Sequence, residues 1–462
     1  MPGLVFSSAL FGNMFGTEEM RALFNDSALV GRYIEVECAL ARAQARLGVI
    51  PVDAADEIMA AASRIHVDMD LMRKETENVG YPILPIVHQL SKEAGDAGGY
   101  LHWGATTQDI MDTATALQVR DALNVIRRDL VELREILVSL ALKHRNTPMA
   151  GRTHLQQALP TTFGNKAAVW LSAIDRHVTR LDQIMPRVAV GQFSGASGTL
   201  ASVGEGGLEM QALLCEELGL EQPAMCWHVA RDGLAEAVAY LGLVTGSLAK
   251  IATDVMIMCS VEFGEVAEPF VHGRGASSTM PQKRNPISSE MILAGAKIVR
   301  QHVAAMMDAM IQDFERATGP WHVEWVVIPE AFLLTAAGLT HAKFMLSGLI
   351  VDKKRMRQNL DLTHGLIVAE SVMMAAAPKL GRQLAHEVVY DACRAALDQG
   401  DPLADILCNN KEIVSALGGE DQVRAHCEPE AYLGLSGQMV DRAIALSGHT
   451  QNTQDLETAD GL

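Results

Sequence analysis

Gly275-Ala276-Ser277-Ser278-Thr279-Met280-Pro281-Gln282-Lys283-Arg284-Asn285-Pro286 gathers flexible backbone, two adjacent serine hydroxyls, a cation and an amide in one short segment. Gly273 and Gly275 admit backbone conformations that other residues resist. Successive N–H groups can therefore turn toward one point and hold a carboxylate or a developing oxyanion. Lys283 adds a charge there and Asn285 a further donor. The same residue types also make ordinary surface loops, so composition alone does not decide between the two readings.

Outward from this loop the pattern is helical. Ala116, Val119, Leu123, Ile126, Leu130, Leu133, Leu137 and Leu140 recur at alternating spacings of three and four, which puts them on one face of a single helix. At 1.5 Å per residue that helix runs on the order of 40 Å or more. Further long helical patterns cover about 160–188, 231–264, 288–314 and 328–350, and together they predict an all-α chain built on a bundle. Aromatics make up only 5% of the residues and Met numbers 23, which suits helices packed through aliphatic and thioether side chains.

A chain of 462 residues exceeds the size at which one core keeps growing. Three parts are expected: an N-terminal helical part over 1–110, a central bundle over 111–355 carrying the loop near 272–287, and a C-terminal helical part over 356–462. Leu29 to Leu47 reads as an amphipathic helix, and Tyr81-Pro82 with Pro85 marks a bend. Gly191 to Gly207 reads as an irregular link, and the polar residues 451–462 as a frayed end.

Lys and Arg number 38 against 56 Asp and Glu, a net charge of -18 that disfavours nucleic acid and anionic membrane surfaces as partners. An anionic ligand then needs a local cationic pocket. The seven cysteines are scattered without a Cys-x-x-Cys pair, and their odd number cannot pair completely, so reduced thiols and a cytoplasmic location are expected. Leu241–Phe263 contains Lys250 and Asp254, and Ala331–Val351 contains His341 and Lys343; both read as buried bundle helices rather than membrane spans. His322 and Glu324 are two residues apart, which does not align them on a helix face for a metal, and no metal or organic cofactor is expected.

The loop resembles the signature Gly-Ser-Ser-x-Met-Pro-x-Lys-x-Asn-Pro of the fumarase/aspartase superfamily, with Ala276 replacing the first Gly. Gly104-Ala105-Thr106-Thr107-Gln108-Asp109 with Asp112-Thr113, and Gly151-Arg152-Thr153-His154-Leu155-Gln156, resemble two further segments of that family in the expected order. Ser194 to Leu200 resembles another. The resemblance implies a three-part all-α fold whose long helices form a twenty-helix core in a homotetramer, with sites shared between subunits. It implies a small dicarboxylate substrate. It also implies that Ser277 is the general base, that His154 is the acid that protonates the leaving group, and that Lys283 is catalytic. Thr106, Thr107, Thr153, Gln156, Ser278, Met280 and Asn285 would bind substrate, and Arg316 is a further candidate for a carboxylate.

The chemistry needs such a setting. A proton beside a carboxylate is weakly acidic, so the carbanion must be held as an aci-carboxylate by strong donors. A serine serves as base only where cations and hydrogen bonds favour its alkoxide. Near Glu77-Asn78-Val79, Trp227 and Trp325 the chain lacks the Arg-His-Asp triplet, Gln and phosphate-binding Arg of adenylosuccinate lyases. Cys226-Trp227-His228, Pro320 to Trp325 and Leu362 to Leu366 resemble more the 3-carboxy-cis,cis-muconate lactonizing branch, in which Trp tends to stand at His154. An acid at that position suits anti β-elimination from an N-substituted aspartate-type compound to fumarate and an amine. Cycloisomerisation of 3-carboxymuconate is the alternative, and a non-catalytic structural homologue the alternative of another class.

Overall fold

A computed structural model describes residues 3–316 and 318–448. The polar stretch 451–462, expected to fray, lies outside the described residues. Helices dominate, with only short strand pairings beside them. The Thr107–Lys143 helix has 37 residues, a length of about 55 Å. Its apolar stripe is buried as the spacing requires: Ala116, Val119, Leu123, Ile126, Leu130, Leu133 and Leu137 are 0% exposed.

The other long helices are Phe163–Val188, Asp232–Cys259, Ile287–Ala309 and Pro320–Ser347. The last begins earlier than the apolar pattern suggested, because Pro329 removes one backbone donor without ending the helix. Asp232–Cys259 and Pro320–Ser347 are, by length and composition, apolar enough to cross a membrane, contrary to the expectation from their charges. The most apolar windows of these helices are 50% and 67% buried within the fold.

Two compact units interleave along the chain. One comprises Met1–Leu130, His177–Leu248 and Met291–Thr340, the other Val131–Arg176, Ala249–Glu290 and His341–Leu462. This grouping is by contact, whereas the scheme of 1–110, 111–355 and 356–462 follows chain order. In the first unit Tyr33, Leu40, Ile86, Leu117, Phe193 and Met210 share a core. The Asp26–Arg46 helix enters it behind an Asn25 cap that accepts from the Ala28 N–H. The bend near Pro82 is a helix end at Gly80, φ +92°, after which Ile83–Ala94 starts with Pro85 in its first turn. In the second unit Val372, Ala385, Val389, Leu403, Leu407 and Val423 form a separate core.

Just before the helix read from about 160, which begins at Phe163, lies a β-hairpin that the sequence pattern did not announce. Pro148–Thr153 pairs antiparallel with Gln156–Thr162, from Pro148 opposite Thr162 to Thr153 opposite Gln156. Gly151 lets the strands approach, since a Cβ there would lie 2.7 Å from the Leu159 carbonyl oxygen. Beneath the hairpin, His144 is buried, with Nδ1 3.1 Å from Thr147 Oγ1. Burial first, then Lys353 and Lys143, push its pKa from 6.5 down to about 4. The unfolded imidazole takes up a proton that the folded one refuses, so this contribution to stability is present above pH 6.5 and is lost as pH falls toward 4. The melting temperature of the wild type should therefore fall more steeply across that window than that of His144→Gln; parallel curves would remove His144 from acid sensitivity.

Candidate active site

The signature segment is a loop tied at its base and open at its middle. At its entry, Glu268 accepts from Ser288 N at 3.1 Å, Ser289 N at 2.8 Å and Ser289 Oγ at 2.8 Å, a carboxylate set at the positive end of the Ile287–Ala309 helix. Arg274 donates to Ser288 Oγ at 2.7 Å and lies 4.4 Å above the Phe344 ring. Inside the loop Asn285 N bonds Gly275 O at 2.9 Å. Gly275 is required there: its φ is +69° and a Cβ would sit 2.5 Å from the Asn285 carbonyl oxygen.

Ser277 Oγ accepts from the N–H groups of Met280 at 3.1 Å and Thr279 at 3.3 Å. Two backbone donors aimed at one hydroxyl oxygen favour its deprotonated form. Ser278, Met280 and Lys283 are exposed, and among the described residues Lys283 forms no ion pair. Its charge is therefore available to an anion.

His154 stands at the tip of the hairpin. His154 and its neighbour Leu155 both have left-handed backbone, φ +54° and +63°, and both are exposed. A two-residue hairpin turn of that kind ordinarily takes Asn-Gly, because a Cβ opposes positive φ. His-Leu holds it at a cost of about 1–3 kcal/mol per strained residue, and the flanking Thr153 and Gln156 close the turn as register partners. The hairpin is braced through Arg152, which forms a bidentate pair with the buried Glu265 at 2.6 and 3.0 Å and covers the Phe263 ring at 4.7 Å. Glu265 also accepts from Asn359 at 2.8 Å. The second unit thus carries both the hairpin with His154 and the loop with Ser277, Lys283 and Asn285. Among the described residues no hydrogen bond or ion pair joins His154 to that loop.

The remaining candidates lie in the first unit, and there the structure joins two of them: Arg316 donates to Thr106 Oγ1 at 2.9 Å and to the Ala196 carbonyl at 2.9 Å. Thr106 precedes the Thr107–Lys143 helix, and the capping is done by Asp109, whose carboxylate accepts from Thr106 N at 3.0 Å. The Thr106 hydroxyl is thereby left to Arg316. Asp109 also accepts from Ser194 N, Gly195 N and His228 Nε2, at 2.9, 3.0 and 2.9 Å.

The reading of the sequence missed an ion triad one turn further on. Arg231, wholly buried, forks onto Asp112 at 2.7 and 2.9 Å and onto Glu324 at 2.8 and 2.5 Å, with the Trp227 ring 4.8 Å below it. Burial opposes its charge, but the two carboxylates override that and hold the guanidinium protonated. For Glu324, burial wins over Arg231 and its pKa is raised. This pairing removes Glu324 from any metal site with His322, and among the described residues no group of three metal-ligating side chains occurs. Three charged side chains within apolar stretches were the signal available in sequence. A cavity of about 690 Å³ in this unit is lined by Tyr33, Arg73, Glu77, Trp321 and Trp325 among others, but by none of the designated site residues.

Residues 14–300 match the family model described as Lyase, and residues 365–443 the one described as adenylosuccinate lyase C-terminus. The chain is 44% identical to the 3-carboxy-cis,cis-muconate cycloisomerase of Pseudomonas aeruginosa over 95% of its length and 96% of the relative's. The chain belongs to the fumarase/aspartase superfamily of lyases. Other members include trans-aconitate decarboxylase 1 of Mycosarcoma maydis, at 46% identity over 96% of this chain and 90% of that protein. The N-acetyl-S-(2-succino)cysteine lyase of Dickeya dadantii is 38% identical, over 96% and 97%. A fumarate lyase structure from Mesorhizobium sp. BNC1 superposes with a TM-score of 0.89 at 55% identity, covering 93% of this chain and 98% of that one. The superfamily fold and its lyase chemistry are therefore those of this chain.

Proposed function

We propose that the protein eliminates a group from a substituted succinate in the anti sense, most specifically an amine from an N-substituted aspartate, leaving fumarate. Ser277 takes the proton beside the carboxylate, Lys283, Asn285 and the loop N–H groups hold the aci-carboxylate, and Thr106, Thr107 and Arg316 bind a carboxylate. Ser278, Met280, Thr153 and Gln156 complete the contacts. His154 supplies the proton to the leaving group. The observation that carries this reading is His154 itself, an exposed imidazole held out on a strained turn that no packing requires. An amine is far too basic to depart without a proton, and imidazole donates one near neutral pH. The sites are assembled between copies in a homotetramer, and the protein works in the cytoplasm.

The succino-thioether lyase relative supports elimination with a heteroatom leaving group. The cycloisomerase relatives support a second reading, internal addition of a carboxylate to 3-carboxymuconate. Ultraviolet absorbance separates the two. Purified protein is given N-substituted aspartates, S-succino thiols, trans-aconitate and 3-carboxymuconate, and the highest kcat/KM is expected with an N-substituted aspartate. A preference for 3-carboxymuconate would replace the proposal. Inertness of folded protein toward every compound would favour a structural role.

His154→Trp sharpens the distinction. Loss of a positioned acid should lower elimination by on the order of 10²–10⁴-fold. A turnover within a few-fold of wild type would take His154 out of the proton transfer.

A further inference from the structure

Cys226 differs from the other cysteines in what surrounds its sulfur. Gln192 Nε2 donates to Sγ at 3.3 Å, and the same amide is oriented by its oxygen, which accepts from Trp227 N at 3.1 Å. His228 is 0% exposed and binds the equally buried Asp109 through Nε2 at 2.9 Å. Its other nitrogen, Nδ1, is buried without a hydrogen-bond partner, two residues along the chain from Cys226. Gly198 lies against the sulfur, since a Cβ at that residue would come within 3.0 Å of Sγ, and its φ is +76°. Cys226 itself is only partly buried. An amide donor on the sulfur and a carboxylate-bound imidazole two residues away make a setting that favours a thiolate.

The electrostatics agree. Burial alone would raise the Cys226 pKa, but the side chain and backbone N–H of His228 override it and bring it down to about 7. Burial would lower that of His228, yet Asp109 and Cys226 lift it to about 9. The other thiols move the opposite way: Cys38, Cys215 and Cys259 to about 11, Cys427 to about 12, and Cys393 and Cys408 upward.

We propose that Cys226 is a modification site, a nucleophilic thiolate maintained by His228 and Asp109 that hydrogen peroxide oxidises to a sulfenic acid. The sulfur attacks one peroxide oxygen and forms the S–O bond as the O–O bond breaks. The departing hydroxide takes the His228 proton and leaves as water. Sulfur loses two electrons and the peroxide gains them. This site does not depend on which succinate the protein cleaves.

The experiment treats the full-length protein with dilute hydrogen peroxide and captures sulfenic acid with dimedone. Adducts at each cysteine are quantified by peptide mass spectrometry and normalised to labelling of denatured protein. Cys408 is the internal comparator, partly exposed and without an imidazole partner. Half ionised at neutral pH, Cys226 has roughly fifty times the thiolate of a thiol whose pKa is 9.0, the value above which Cys408 is held, and its lower intrinsic nucleophilicity trims the rate advantage to about tenfold. Cys226 should therefore be labelled about tenfold faster than Cys408, and His228→Asn should remove that advantage. Equal rates in the wild type would overturn the proposal, and this comparison needs no variant. So would a folded His228→Asn protein in which Cys226 keeps its lead.

Discussion

Ser277→Ala is expected to lower turnover by on the order of a thousandfold, the range for loss of a positioned base, while leaving the melting temperature nearly unchanged. The size follows from the geometry of the loop. Ser277 Oγ is the acceptor for the Thr279 and Met280 N–H groups, and Lys283 stands on the same loop without an ion-pair partner among the described residues. Both features lower the free energy of an alkoxide more than that of a hydroxyl, and an alanine has neither form. The cost to folding is small because the serine supports a turn and not a core; surface changes of this kind stay within about 0.5 kcal/mol. Measuring kcat beside a thermal melt checks both halves. A variant that keeps a tenth of wild-type turnover would end the role of Ser277 as base, and one that unfolds would show the loop to be structural. Ser278→Ala, one residue away and exposed, should lose far less.

Arg231→Met carries the largest expected effect on stability. It strands Asp112 and Glu324, both nearly unexposed, beside each other without their shared cation. Breaking a buried ion pair from one side costs about 3–5 kcal/mol, much of the total stability of an ordinary domain. The sign with pH is also set. Two stranded carboxyls have folded pKa values raised above their unfolded ones by burial and mutual repulsion. The protonated folded state is then favoured at low pH, and the deficit grows as pH rises through the unfolded carboxyl range. Denaturant melts of variant and wild type at pH 4 and pH 7 should show the smaller gap at pH 4. A gap below about 1 kcal/mol at pH 7 would mean that water or rearrangement compensates the carboxylates. Arg231→Lys should also destabilise, since an ammonium cannot fork onto two carboxylates at once.

Much of the candidate site was legible as a cluster because it is local. Ser277, Lys283 and Asn285 fall within one loop, and glycines at positive φ mark where the chain must turn. His154 was readable as a residue but not as a place. The hairpin that presents it went unread, because His-Leu carries none of the Asn-Gly signal of such a turn. Thr106 was legible as a candidate but its partner was not: Asp109 does the capping and frees the hydroxyl for Arg316, 210 residues away.

The amino-acid sequence by itself determined the helical class, the course of the long central helix and the loop that gathers Ser277, Lys283 and Asn285, since each rests on residues within a few turns of one another. Spacings of three and four align side chains wherever a helix forms, and a glycine relieves the backbone at its own position. Only the tertiary structure decided which charges meet in the interior. Arg231 finds Asp112 across 119 residues and Glu324 across 93, and His228 finds Asp109 across 119. Those pairings depend on how distant helices come together, and the strong Coulomb attraction that holds them exists only once folding has removed the water between them.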